Sequence, residues 1–148
     1  MRIYLGSDHA GYAMKEALKP YFERRGIDVV DVGAPSEESV DYPDYAQMVA
    51  VGVSSGEAER GVLVCGSGIG MSIAANKAPG VRAAVITDPE LAKMFRLHND
   101  GNIICLGGRY IPLALAEEIL EAFFDTPFEG GRHQRRVDKI SALESDCG

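Results

Sequence analysis

Five short apolar runs, each followed by a segment of helical periodicity, constrain this chain more than any other feature of its sequence. The runs cover residues 2–6, 27–32, 61–65, 81–87 and 103–106, and each reads as a strand. After the first, Met14, Ala17, Leu18, Tyr21 and Phe22 recur at helical spacing on one face. Arg24, Arg25 and Gly26 close that helix with cations and a glycine cap. Pro43 opens a second helix, whose face is Ala46, Val49, Ala50 and Val53 and which Gly56 ends. Another runs from a glycine loop toward Asn76. Asp88 caps the next, with Pro89 at its first position. Pro112 starts a helix that faces inward through Ala116, Ile119, Leu120, Phe123 and Phe124. A last, weakly amphipathic helix is expected over about 132–143. Strands alternating with helices imply a parallel sheet covered on both faces, a doubly wound α/β architecture of about five strands. Such sheets bind ligands at the carboxyl ends of their strands, near a switch in strand order.

The chain has 148 residues, enough for one domain with its own core, and we expect a single domain over 1–148. Its net charge of -7 argues against non-specific nucleic-acid binding, which needs clustered Lys and Arg to neutralise phosphates. No apolar stretch approaches the ~18 residues of a membrane span, so no membrane partner is expected. The N-terminal Ile3-Tyr4-Leu5 meets Gly6 and Asp8 too early for a signal peptide. Cys65, Cys105 and Cys147 are odd in number and lack metal-type spacing. They fit a reducing compartment, with the cytoplasm as the expected location.

The strongest local signal is Cys65-Gly66-Ser67-Gly68-Ile69-Gly70, between a strand and a helix. Glycines permit a tight turn with inward backbone N–H groups, and the helix N-terminus adds partial positive charge. Such a loop holds an anion, either a phosphate or a developing oxyanion. A thiol beside a helix N-terminus is readily ionised and serves as a usable thiolate. A buried structural cysteine before a tight turn fits the same spacing. A dinucleotide fingerprint fits in part, with Asp88 about 20 residues on, but the third glycine comes one residue early.

Each of the three histidines sits in a polar cluster: Ser7-Asp8-His9, Arg96-Leu97-His98-Asn99-Asp100, and Gly131-Arg132-His133-Gln134-Arg135-Arg136. No two histidines have metal-ligand spacing along the chain, so no metal is expected. Histidine titrates near neutrality and suits proton transfer. Arg132 and Arg136 share one helical face at i, i+4, where two guanidinium forks could grip a phosphate dianion. These residues suggest an anionic small molecule as partner.

Taken together, the motifs resemble the type B ribose-5-phosphate isomerases, a family that includes relatives acting on allose 6-phosphate and galactose 6-phosphate. The matching segments are Gly6-Ser7-Asp8-His9-Ala10-Gly11-Tyr12, Glu38-Ser39-Val40-Asp41-Tyr42-Pro43, 65–77, His98-Asn99-Asp100, Gly107-Gly108-Arg109 and 130–137. They span nearly the whole chain in family order. The resemblance implies a Rossmann-like α/β sandwich that forms homodimers, free to pair into tetramers, with active sites between subunits and no cofactor, metal or nicotinamide. It implies that Cys65 is the base moving a proton between C2 and C1 of an open-chain sugar phosphate. By the same resemblance, Gly66, Ser67, Gly68, Ile69 and Gly70 form the anion hole for an enediolate. His98 is then the ring-opening proton donor, with Asp8 as its candidate partner. His9, Asn99, Arg109, Arg132 and Arg136 match substrate-binding positions, the arginines chiefly serving phosphate. Ser67 stands where many members carry Thr; the hydroxyl survives for proton relay, with a less fixed rotamer. A nucleotide-binding module using Asp88 and a non-catalytic sugar-phosphate sensor are the other two readings, and the presence of both Cys65 and His98 speaks against the sensor.

Overall fold

A computed structural model describes residues 1–146. In chain order the elements are β1 (Arg2–Ser7), α1 (Tyr12–Arg24), β2 (Asp28–Gly33), α2 (Tyr42–Ser54), β3 (Arg60–Cys65) and α3 (Ile69–Ala75). They continue with β4 (Ala83–Val85), α4 (Pro89–Asn99), β5 (Ile103–Gly107), α5 (Leu113–Asp125) and α6 (Arg132–Asp146). The strands form one parallel sheet in the order β2-β1-β3-β5-β4.

Side chains alternate across a strand, so the three central strands feed two cores. Ile3, Leu5, Val62, Val64, Ile104 and Leu106 point to one face, where Leu18 and Phe22 of α1, Ala92 and Phe95 of α4, and Ile119 and Phe123 of α5 cover them. Leu63, Cys65, Ile103 and Cys105 point to the other, under Ala46, Val49 and Ala50 of α2 and Met71 and Ala75 of α3. The continuous apolar runs of β3 and β5 follow from burial on both sides.

Three local expectations change. Ala17 is exposed, whereas Lys15 is fully buried and bonds both carboxylate oxygens of Asp31 at 2.9 and 2.8 Å. The inward face of α1 is therefore turned toward a buried cation that apolar periodicity cannot register. The fourth strand covers Ala83–Val85 rather than 81–87. It is an edge strand, and the Asn76 side chain bonds Ala83 at both its N–H and its C=O, each at 2.8 Å. That side chain takes the place of a further ladder and blunts the edge. Pro112 precedes α5 as its cap rather than entering it.

Candidate active site

The strand order reverses at β1: the chain moves outward to β2, then returns to place β3 on the other side of β1. Helices leaving the two strands cover opposite faces, which opens a crevice at the carboxyl ends of the strands. The crevice is a cleft of about 580 Å³ lined by Asp8, His9, Cys65, Gly66, Ser67, Ile69, Gly70 and Arg109, with Tyr42 and Tyr110 at its sides. Backbone bonds hold its walls together. Asp8 N–H donates to Val64 O at 3.3 Å, Gly108 to Cys65 O at 2.8 Å and Arg109 to Gly66 O at 3.1 Å.

The glycine loop shapes the floor. Gly68 has φ +83°, and a Cβ there would lie 3.2 Å from the Leu106 carbonyl carbon, so the turn requires glycine. With this turn in place the Gly68 amide donates to Cys65 Sγ at 3.1 Å. Ser67 Oγ accepts from the Ile69 amide at 3.2 Å, which leaves its proton free to donate. The Gly70 and Met71 amides, in the first turn of α3, have no acceptor among the described residues. Gly70 also lets the Tyr42 ring approach: a Cβ would meet it at 2.5 Å. Cys65 borders the cleft, whereas Cys105 is fully enclosed in β5 and burial pushes its thiol well above the usual range. Cys147 lies outside the described residues.

At the end of β1, buried Asp8 accepts from the Gly11 amide at 3.0 Å through Oδ1. His9 Nδ1 accepts from the Val40 amide at 3.2 Å, which makes Nε2 the protonated nitrogen of the neutral ring.

His98, Asn99, Arg132 and Arg136 do not line this cleft. They gather instead where the end of α4 meets the start of α6. Arg96 binds Asp100 Oδ1 at 2.9 Å and Gly101 O at 2.7 Å, and Arg82 Nε reaches Asn99 O at 2.9 Å, so the end of α4 is pinned from two sides. The Glu129 amide donates to Leu97 O at 3.1 Å and ties the approach to α6 onto α4. The result is a stack of His98 on His133, with 4.3 Å between ring centroids and 18° between planes. His133 is buried and its Nε2 has no hydrogen-bond partner; burial, with His98 beside it, holds its pKa below the ordinary histidine value. Sequence reading counted His133 with the basic run. The signal that it differs is the 133/137 pair, which faces inward while Arg132 and Arg136 stay exposed.

Arg2, Arg24, Arg25, Arg82 and Arg96 are in ion pairs, whereas Arg109, Arg132 and Arg136 have none among the described residues. In so acidic a chain, unpaired guanidinium groups are available to an incoming anion. Asp88 is otherwise engaged: its Oδ1 accepts from the Glu90 and Leu91 amides at 2.7 and 3.2 Å, capping α4, and it does not line the cleft. The nucleotide reading therefore loses the carboxylate it needed.

A family profile described as Ribose/Galactose Isomerase matches residues 3–140. The chain belongs to that family. Ribose-5-phosphate isomerase B of Escherichia coli (strain K12) is 45% identical over 143 residues, covering 97% of this chain and 96% of that protein. Among solved structures, ribose-5-phosphate isomerase B of Clostridium thermocellum superposes with a TM-score of 0.98 at 48% identity, covering 100% of both chains. The Mycoplasma genitalium ribose-5-phosphate isomerase B, solved with bound ribulose-5-phosphate, gives a TM-score of 0.94 at 37% identity, covering 98% of this chain and 97% of that one. This member of the family is an isomerase with the same parallel-sheet fold. No helix among its described residues is long and apolar enough to cross a membrane.

Proposed function

We propose that this isomerase interconverts ribose 5-phosphate and ribulose 5-phosphate through an enediolate, at sites completed between the two subunits of a homodimer. The observation that carries this reading is the division of the chemistry. The Cys65 sulfur and the glycine loop share the switch-point cleft, while His98 and the Arg132/Arg136 pair lie together elsewhere on the same chain. A second copy would bring the two groups face to face. The rim of the cleft supports such an interface, since Tyr42, Ile69, Ile73 and Tyr110 are 41%, 57%, 60% and 78% exposed.

The steps then follow from the groups available. His98 gives a proton to the furanose ring oxygen as the anomeric hydroxyl loses one, with Asp8, across the proposed subunit interface, as its candidate partner. The Cys65 thiolate removes the proton from C2 of the linear aldose and returns it at C1. Between these transfers, negative charge on the enediolate faces the Gly66–Gly70 turn, where the Gly70 amide has no acceptor among the described residues and can donate to it. Ser67 relays a proton between O1 and O2. His9 and Asn99 bind sugar hydroxyls, and Arg109, Arg132 and Arg136 hold the phosphate, so that binding energy from a non-reacting group orients the carbon under attack. Free thiols at Cys65 and Cys105 fit work in the reducing cytoplasm.

Turnover on a panel of ribose 5-phosphate, allose 6-phosphate and galactose 6-phosphate tests the substrate. Ribose 5-phosphate is expected to give the highest kcat/KM; a higher value on either six-carbon phosphate would replace it in this reading.

A further inference from the structure

We infer that His133 is a positioning residue for ring opening: its buried ring is the platform that fixes the plane of His98. The inference rests on the ring-opening role proposed for His98. An imidazole turns about two side-chain torsions, and each swing carries its proton-bearing nitrogen away from a target. A proton donor must stay within hydrogen-bond reach of the atom it serves, and a misplacement of about 1 Å can cost a hundredfold in rate. Among the described residues the His98 ring makes no hydrogen bond. What it meets is the face of His133, with 4.3 Å between centroids and 18° between planes.

His133 is built to be the fixed member of the pair. It is 5% exposed, whereas His98 is half-buried, and its amide donates to Gly130 O at 3.0 Å. Val137, one turn along α6, is buried on the same face. The Glu129 amide, on the approach to α6, bonds Leu97 O at 3.1 Å. Residues 129–133 therefore grip α4 at two successive positions, by backbone at Leu97 and by ring face at His98.

The face of His133, and not its nitrogens, is the part that another residue uses. Its Nε2 is buried without a partner and lies 3.9 Å from Glu129 Oε1, beyond hydrogen-bond reach. Burial, with His98, Arg132 and Arg136 nearby, keeps the ring neutral against the opposite pull of Glu129. A neutral ring stays stacked on His98 whether or not His98 carries its proton, whereas two imidazolium rings would repel. The platform is thus compatible with both halves of a proton transfer.

The test compares His133→Leu, which keeps apolar bulk and loses the ring, with His133→Phe, which keeps the flat face and loses the nitrogens, both in the full-length protein. His133→Leu is expected to lower kcat on ribose 5-phosphate roughly ten- to a hundredfold with KM little changed. Deuterium exchange at C1 of ribulose 5-phosphate should stay at the parent rate, which also shows that the variant folds. His133→Phe should retain most of the ring-form turnover. In a His98→Asn background, His133→Leu should add no further loss, because the two residues act through one ring. Exchange lost in step with ring-form turnover would make His133 a part of the fold only. A loss in His133→Phe equal to that in His133→Leu would assign the effect to the nitrogens, and a rise in KM on both substrates would assign it to the flanking arginines. Each of these overturns the inference. If His98→Asn alone slows exchange as much as ring-form turnover, the ring-opening role falls and the inference with it. A selective effect in His98→Asn that His133→Leu does not share overturns the inference alone.

Discussion

The Gly68 amide points at Cys65 Sγ across 3.1 Å, so the residue whose left-handed backbone makes the turn also fixes the sulfur that borders the cleft. If that sulfur is the carbon base, Cys65→Ala should lower turnover by at least the ~10²–10⁴-fold typical of a positioned base while leaving substrate binding largely intact. Alkylation that substrate blocks should map to Cys65 alone, since Cys105 is enclosed and held as the neutral thiol. Near-native turnover of Cys65→Ala would give the proton abstraction to another residue.

His98 is expected to serve ring opening only. Ribulose 5-phosphate cannot close to a furanose through its phosphorylated oxygen, so it is the open-chain probe. His98→Asn should slow isomerisation of ribose 5-phosphate far more than solvent deuterium exchange at C1 of ribulose 5-phosphate. Exchange slowed as severely as in Cys65→Ala would show that the two residues do not divide the steps.

A site shared between subunits makes a further, sharper prediction. Mixing inactive Cys65→Ala and His98→Asn dimers under conditions that allow subunit exchange should restore about a quarter of the parent activity, because half the dimers become mixed and each holds one intact site. No recovery, with exchange confirmed by mass spectrometry of the mixed species, would place both residues in one chain's site.

The unpaired arginines are expected to act through phosphate. Arg132→Ala and Arg136→Ala each remove charge-assisted hydrogen bonds of about 1.5–3 kcal/mol, roughly ten- to a hundredfold in KM. Unphosphorylated ribose should be a poor substrate for the parent, and equal efficiency on ribose and its 5-phosphate would contradict the assignment.

His133 should mark the pH dependence of stability. Its folded pKa lies below the ordinary value, so the unfolded chain binds its proton first. Stability from this residue is full above about pH 6.5 and is lost as pH falls through the folded pKa. Denaturant unfolding of the parent and of His133→Asn, compared over that acid range, should show a shallower loss in the variant. Parallel curves would mean that the ring is not held neutral by the fold.

Much of this was legible in the chain. The runs of β3 and β5 declare strands covered on both faces, and the Cys65–Gly70 turn declares its conformation because only glycine tolerates the Gly68 backbone beside Leu106. Periodicity counts apolar residues, so it turned α1 toward Ala17 and missed Lys15, a cation buried because Asp31 neutralises it. It also extended β4 through Val81 and Ile86, which are buried for other reasons, while Asn76 closes the edge between them. Contacts between distant elements leave no such mark: the His98–His133 stack and the separation of the arginine pair from the cleft depend on how α4 meets α6.

That meeting is made by one backbone bond, Glu129 N–H to Leu97 O, together with the ring stack beside it. It joins the histidine proposed to open the ring and the arginines proposed to hold the phosphate within one chain. If those roles hold, their spacing is set within one chain and not by how closely two copies approach, and a sugar phosphate would be measured from its phosphate to its ring oxygen before the sulfur on the other side could act.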